Sequence, residues 1–99
     1  MIIQFSKRSK KNYQSIITYL NKEFGEFVTI EFETKFKQFI VLLSKFPQIG
    51  QLEISEKGIY GFQFSYQSKV FYRIKQNQIV ILTIFDVRQN DKKKRLDGL

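Results

Sequence analysis

Hydrophobic residues in the first half of the chain repeat with the period of an α-helix. Between residues 7 and 24 they recur at spacings of three and four, at Tyr13, Ile16, Ile17, Leu20 and Phe24. A second stripe lies between residue 26 and about residue 46 and comprises Val28, Phe32, Phe36, Phe39, Ile40 and Leu43. Gly25 separates the two stripes and Pro47 follows the second, so the pattern predicts two helices that form an antiparallel hairpin.

The second half of the chain changes to the period of a β-strand. Aromatic residues alternate with small or polar ones between residues 60 and 66. In residues 69–75, Val70, Tyr72 and Ile74 alternate with Phe71, Arg73 and Lys75. A turn at 76–78 leads into residues 79–85, which are apolar on both faces and are expected to form an inner strand covered by the helices. Residues 2–5 are expected to form a short terminal or edge strand. The sequence therefore predicts an α+β domain in which an N-terminal strand and a helical hairpin pack on a three- to four-stranded antiparallel sheet.

Residues 1–99 are expected to form a single domain, because nothing resembling a linker or a repeat divides them. Residues 86–99 differ from the remainder because they contain five basic residues and almost no apolar ones. We interpret them as a basic C-terminal tail that is solvated, forms a short helix, or orders on a partner. No apolar run approaches membrane-spanning length and no signal peptide is evident, so a cytoplasmic location without membrane association is expected.

The composition excludes several kinds of chemistry. The chain has no cysteine and no histidine, which removes disulfides, thiolate zinc sites and the usual acid–base residue at neutral pH. No cofactor or metal is expected. The net charge of +8 comes from the two ends, since residues 1–21 carry four basic residues and no acids, and residues 58–99 carry eight basic against three acidic residues. Such an excess favours an anionic partner, although basic ends that merely keep an aromatic-rich protein soluble would look the same.

One group of residues could carry chemistry, and it is cationic and aromatic: Lys69, Tyr72, Arg73, Lys75 and Arg88. Arginine and lysine can stabilise charge on a phosphate, and tyrosine can stack on a base or donate a proton. The structural alternative places Tyr72 in the core and pairs Arg73 or Arg88 with carboxylates. Tyr72 is expected to be core, Arg73 is undecided, and Arg88 is favoured as functional although a pair with Asp86 is possible. The aromatic residues of 60–66 are likewise expected to be core and not a platform for bases.

Several short segments are similar in order and spacing to the RelE/ParE superfamily of toxins from type II toxin–antitoxin systems, with a closer resemblance to ParE-like members. The resemblance covers about residues 1–93 and is carried by Leu42-Leu43-Ser44-Lys45-Phe46-Pro47, Gly58-Ile59, Val70-Phe71-Tyr72-Arg73-Ile74, Ile79-Val80-Ile81-Leu82 and Phe85-Asp86-Val87-Arg88-Gln89-Asn90. It implies a helical hairpin packed on an antiparallel sheet. It also implies a hetero-oligomer with a cognate antitoxin protein, whose disordered segment folds around the toxin.

The resemblance implies two different targets. ParE-like members poison DNA gyrase, whereas RelE-like members cleave messenger RNA on the ribosome. A nuclease would use Lys69 and Arg88, with Arg73 in support. However, no tyrosine follows Tyr72, and Tyr60 stands where related sequences often have arginine after Gly-Ile.

We therefore favour a non-catalytic toxin directed at gyrase. A ribosome-dependent mRNA endonuclease that needs no metal is the alternative, and an inactive or plain nucleic-acid-binding module is a third hypothesis. The residues expected to bind a protein partner are Tyr13, Ile17, Leu20, Arg73 and Arg88.

Overall fold

The computed structural model of the chain describes residues 1–89. Its helices are α1 (Lys7–Phe24) and α2 (Glu26–Lys45), and its strands are β1 (Ile2–Phe5), β2 (Gln51–Ile54), β3 (Ile59–Gln63), β4 (Ser68–Lys75) and β5 (Gln78–Asp86). Two 3-10 turns, Ser55–Lys57 and Val87–Gln89, follow β2 and β5. The two predicted helices are confirmed, and their bounds agree with the sequence pattern to within one residue.

The helical hairpin begins and ends at residues suited to these positions. The Ser6 hydroxyl accepts a hydrogen bond from the Ser9 backbone N–H at 3.0 Å, which caps α1. Gly25 has a φ of 90°, which residues with a side chain rarely adopt, and its N–H donates to the carbonyl groups of Leu20 and Asn21. The chain can therefore reverse within one residue, which makes α1 and α2 neighbours.

The strands form one mixed sheet in the order β1-β5-β4-β3-β2. Strands β3, β4 and β5 pair antiparallel, as predicted, β2 pairs antiparallel with β3, and β1 joins at the other edge and runs parallel to β5. The sequence pattern did not predict β2, and it extended β3 too far. Because β3 ends at Gln63, Tyr66 lies in the following loop with 93% of its surface exposed, which corrects its assignment to the core.

The core lies between the helical hairpin and one face of the sheet. The Phe39 ring of α2 stacks on Phe62 of β3 at a centroid distance of 5.0 Å and on Phe64 at 5.5 Å. Tyr13 of α1 contacts Phe36 of α2 at 5.0 Å, so the aromatic residues join the two layers. The fully buried members of this core include Ile16, Leu20, Leu43, Val70, Tyr72, Ile79 and Ile81.

Strand β1 pairs with β5 only along the first half of β5. Beyond that point the register between β4 and β5 shifts: Phe71 pairs with Thr83, whereas Tyr72 pairs with Ile81. Asn12 of α1 replaces the missing strand: its Oδ1 accepts hydrogen bonds from the Ile84 backbone N–H at 3.1 Å and from the Thr83 hydroxyl at 2.6 Å. Helix α1 is thereby fixed to the strand that leads to Asp86 and Arg88.

The structure describes only the first four residues of the segment that was predicted to be a C-terminal tail. Asp86 is the last residue of β5, and residues 87–89 form a 3-10 turn. The remainder of the predicted tail, residues 90–99, lies outside the described residues. Within residues 1–89, neither helix combines the length and the apolar character needed to cross a membrane.

Candidate functional site

Strand β4 presents the candidate cations on the face of the sheet that points away from the helices. Val70 and Tyr72 are buried in the core between the layers, so Lys69, Phe71 and Arg73 project from the opposite side. We call this side the outer face. Phe71 is almost fully buried there because its ring stacks on Phe85 of β5 at a centroid distance of 6.2 Å. The outer face therefore has an aromatic centre bordered by cations.

Lys69 is paired with a carboxylate that the sequence pattern did not single out. Its Nζ lies 2.7 Å from Oε2 and 2.9 Å from Oε1 of Glu53 on β2, and 4.9 Å from the centre of the Phe71 ring. Strand β3 lies between β2 and β4, so the pair crosses over it at Gly61. The signal in the sequence was a glycine within an aromatic strand, which often marks a close approach of neighbouring groups.

Arg73 lies two residues after Phe71 on β4 and therefore on the same outer face. It pairs with Ile59 of β3 and Val80 of β5 in the sheet register and is partly buried. Among the described residues, its Nε is the buried side-chain nitrogen that lacks a hydrogen-bond partner. A buried donor without an acceptor is unfavourable, which makes Arg73 the least well satisfied of the candidate cations in this part of the chain.

Arg88 lies in the turn after β5 and forms a two-point ion pair with Asp86. Arg88 Nε donates to Asp86 Oδ1 and Nη2 donates to Oδ2, each at 2.8 Å. The Ser68 hydroxyl and the Arg88 backbone N–H also donate to this carboxylate, at 2.7 and 2.9 Å. The hydrogen bonds to Asp86 raise the pKa of the Arg88 guanidinium, against the opposite effect of its desolvation. The structure thus contains the pairing that the sequence left as the less favoured alternative.

Tyr72 is confirmed as a core residue. Its ring is fully buried and stacks on Tyr60 at 5.4 Å, while its hydroxyl donates to the Pro47 carbonyl and accepts from the Gly50 N–H, both at 2.9 Å. Burial is the largest effect on the phenol and raises its pKa. A fully buried hydroxyl with both a donor and an acceptor occupied is not placed to stack on a base or to transfer a proton to a substrate.

The predicted partner-binding residues of α1 fall into two groups. Leu20 has no exposed surface and packs in the core, so the assignment of its side chain to a partner surface is corrected. Ile17 is partly buried against the core. Tyr13 lines an open groove of about 300 Å³ together with Phe5, Ser9, Lys10, Phe36 and Ile84. Burial, and to a smaller degree the charge of Glu33, raises the pKa of the Tyr13 phenol.

The helical hairpin also exposes several large apolar residues that the periodic pattern did not identify as surface. On these two helices they are Phe24, Phe27, Ile30, Val41 and Leu42. Phe27 has 80% of its surface exposed. Phe27 and Ile30 are three residues apart on α2 and therefore neighbours on its surface, and adjacent exposed apolar groups are typical of a surface that binds another protein. Lys75, the remaining candidate cation, is exposed at the end of β4.

A comparison with protein families identifies one that matches most of the chain. A model of the ParE toxin of the type II toxin–antitoxin system parDE matches residues 3–91. No curated protein matches the sequence at a significant level.

Solved structures share the fold at low sequence identity. The chromosomal ParDE system of P. aeruginosa matches with a TM-score of 0.72 and 16% identity, covering 87% of this chain and 95% of that one. A YoeB/ParE toxin from Agrobacterium tumefaciens gives a TM-score of 0.60 at 13% identity, with 87% and 98% covered. The YoeB-YefM complex from Staphylococcus aureus gives 0.56 at 15% identity, with 86% and 94% covered. These similarities establish the arrangement of strands and helices.

Proposed function

Because the chain belongs to the ParE toxin family of type II toxin–antitoxin systems, we propose that it inhibits growth by binding DNA gyrase, without catalysing a reaction. We also propose that a cognate antitoxin neutralises it in a hetero-oligomeric complex. Membership of the family supports inhibition of growth as a toxin. The ion pairs formed by Lys69 and Arg88 support the absence of catalysis.

The observation that carries the non-catalytic character is the arrangement of Asp86 and Arg88. A residue that stabilises charge on a phosphate in a transition state must have donors directed at that charge. Arg88 instead directs Nε and Nη2 at a buried carboxylate. Lys69 is bound to Glu53, so two of the three residues that a nuclease would use are engaged within the domain, and Tyr72 is buried.

The antitoxin is proposed to cover the helical hairpin. Two observations support this location: the apolar side chains exposed on α1 and α2, and the groove beside Tyr13. A segment of the antitoxin that folds on binding would bury these groups, and Lys10 at the rim of the groove favours acidic residues in that segment. The P. aeruginosa structure is described as a toxin–antitoxin system and the S. aureus structure as a complex, which is consistent with such a partner.

The proposed target is tested by a gyrase supercoiling assay and a cleavage-complex assay with the purified full-length chain. We expect inhibition of supercoiling that increases with toxin concentration and is reversed when the antitoxin is added. Induction of the gene without the antitoxin should also stop growth. The proposal fails if gyrase activity is unchanged while ribosome-bound messenger RNA is cut.

A second candidate function is mRNA cleavage, which one specific observation favours. Arg73 is partly exposed and, unlike Lys69 and Arg88, forms no ion pair within residues 1–89, so its guanidinium is available to a phosphate. If the chain is a nuclease, the Arg73→Ala variant should lose cleavage of ribosome-bound messenger RNA while its circular dichroism spectrum stays unchanged. In a gyrase-directed toxin, neither the wild type nor this variant should cleave RNA.

A further inference from the structure

We propose that Glu53 is a specificity-determining residue that closes the outer face of the sheet to RNA. Its carboxylate occupies the position beside Lys69 that a phosphate group would otherwise take. This inference rests on the proposed function, since it accounts for a basic toxin that acts on a protein target and does not bind RNA through its sheet.

Lys69 has the properties of a phosphate contact. Its side chain retains 22% of its surface, it lies on a strand and not in a loop, and its ammonium group is held over the Phe71 ring. A lysine ammonium binds a phosphate as a compact point charge. In this chain both oxygens of Glu53 lie within 3 Å of that ammonium group, at 2.7 and 2.9 Å. The carboxylate therefore competes directly with any external anion.

Gly61 is the feature of β3 that allows this pair to form. A Cβ atom at this position would lie 2.7 Å from Cδ of Glu53 and 2.9 Å from Cε of Lys69, closer than atoms can approach. A side chain at this position would therefore require the ends of Glu53 and Lys69 to shift away from the place where they now meet. Gly61 does not have a positive φ, so close approach, and not backbone conformation, is what requires glycine here.

The consequence of the pair is electrostatic. Exposed ion pairs contribute little to the stability of a domain, so stability does not explain the arrangement. The pair does remove one positive charge from the middle of the outer face. Arg73 lies about 13 Å farther along β4, four residues at about 3.3 Å each, and cannot replace Lys69 at the same phosphate. An RNA strand crossing the face therefore meets a neutral pair at residue 69.

The test measures how the full-length chain binds a fluorescently labelled single-stranded RNA oligonucleotide, by anisotropy over a range of salt concentrations. We compare the wild type with Glu53→Gln and with Glu56→Gln. Both substitutions remove one negative charge, but Glu56 lies exposed in the 3-10 turn, where its carboxylate accepts a hydrogen bond from Ser55. Glu53→Gln should bind RNA about fivefold more tightly at low salt, because it frees one cation.

The salt dependence separates a local contact from a general change in charge. For Glu53→Gln, the slope of log affinity against log salt should steepen by about 0.7, the value for one additional phosphate on a single strand. Glu56→Gln should keep the wild-type slope. If the two variants behave alike, the effect is one of net charge and the proposal is wrong. It is equally wrong if neither variant gains affinity.

Two further variants test the geometry. Gly61→Ala keeps every charge but places a methyl group where the ends of Glu53 and Lys69 meet, so we expect the pair to weaken and RNA affinity to rise without any change in net charge. The double variant Glu53→Gln/Lys69→Met should lose the gain of Glu53→Gln. A wild-type affinity in Gly61→Ala, with the domain folded by circular dichroism, would contradict the proposal. Failure of the proposal for Glu53 is distinguishable from failure of the proposed function, because the latter would appear as unchanged gyrase supercoiling with the wild-type chain.

Discussion

Arg88 and Asp86, two residues apart, face each other through a pair of parallel hydrogen bonds of 2.8 Å at the end of β5. The Asp86 side chain is fully buried, and the Ser68 hydroxyl of the neighbouring strand β4 donates to the same carboxylate. The ion pair therefore joins the last turn to the sheet. This position makes Arg88 first of all a structural residue, and it changes what substitution of Arg88 is expected to do.

We predict that Arg88→Ala destabilises the domain by about 2 to 3 kcal/mol. The substitution leaves a buried carboxylate without its counter-charge, although Ser68 and a backbone N–H remain as donors. Urea unfolding followed by circular dichroism measures the loss, and Arg88→Lys, which keeps the charge but not the two-point geometry, should lose less. Equal stability of Arg88→Ala and the wild type would show that the guanidinium is free to act elsewhere.

We predict that Tyr72→Phe costs about 1 to 2 kcal/mol of stability. The hydroxyl connects the Pro47 carbonyl to the Gly50 N–H, and its removal leaves both backbone groups without this partner in a partly buried site. Tyr60→Phe is a suitable control, because Tyr60 lies against the same ring but is less buried. If both variants unfold at the same urea concentration as the wild type, the link between β4 and the segment after α2 contributes nothing measurable.

The same hydroxyl predicts a dependence of stability on alkaline pH. Burial raises the pKa of Tyr72 above its ordinary value of 10.0, so the folded state keeps the phenol proton to a higher pH than the unfolded state does. The stability associated with this group is therefore fully present below pH 10 and is lost as the pH rises through the folded-state pKa. The difference in unfolding free energy between wild type and Tyr72→Phe should shrink above pH 10. A difference that grows in this range would contradict the direction of the shift.

The helices could be predicted from the sequence because their signals are local. Apolar spacing, a capping serine and Gly25 all lie within the segments that they define, and each determines the backbone nearby. Strand β2 alternates polar and apolar residues, as Gln-Leu-Glu-Ile, but a run of only four residues is too short to be distinguished from a loop by its pattern alone. Its place in the sheet follows from pairing with β3, which depends on contacts between segments that are separated by a turn.

The candidate site could be predicted only as a set of residue types. The sequence identified Lys69, Arg73 and Arg88 as cations on or after the hairpin, but it did not identify which of them are paired. Glu53 lies 16 residues before Lys69, and only the sheet order brings the two together over Gly61. Pairing of this kind is a tertiary property, because it depends on which strand lies between two others.

Gly25 and Gly58 provide a test of backbone conformation without the complication of packing. Both have positive φ values, 90° and 63°, and a Cβ atom at either position would meet no atom within 4 Å. Gly58 adopts the left-handed helical conformation, which asparagine tolerates, whereas the extended ψ of 179° at Gly25 is almost restricted to glycine. We therefore predict that Gly25→Asn costs about 2 kcal/mol and Gly58→Asn less than about 1 kcal/mol in thermal or urea unfolding. A larger loss at Gly58 would contradict this ranking.

The exposed apolar side chains of the hairpin are the strongest support for an antitoxin surface, and Phe27 is the most informative of them. It lies in the first turn of α2 with 80% of its surface exposed. Phe24 and Ile30, three residues before and after it in the sequence, are each about half exposed. A side chain this exposed contributes little to the fold, so its substitution should change stability by no more than about 0.5 kcal/mol. An effect of Phe27 on partner binding can thus be measured in a domain that remains folded.

We predict that Phe27→Lys weakens binding of the antitoxin at least about tenfold, because large apolar residues at the centre of an interface contribute most of its free energy. Tyr66→Lys is the matched control, since Tyr66 is an aromatic residue in the loop before β4 that is even more exposed than Phe27, and its substitution should leave the affinity unchanged. Titration calorimetry with purified antitoxin measures both. Because Phe27→Lys raises the positive charge, an acidic antitoxin would gain affinity from charge alone, so a loss must come from the apolar contact. Unchanged affinity in Phe27→Lys, or an equal loss in both variants, would place the antitoxin elsewhere on the domain.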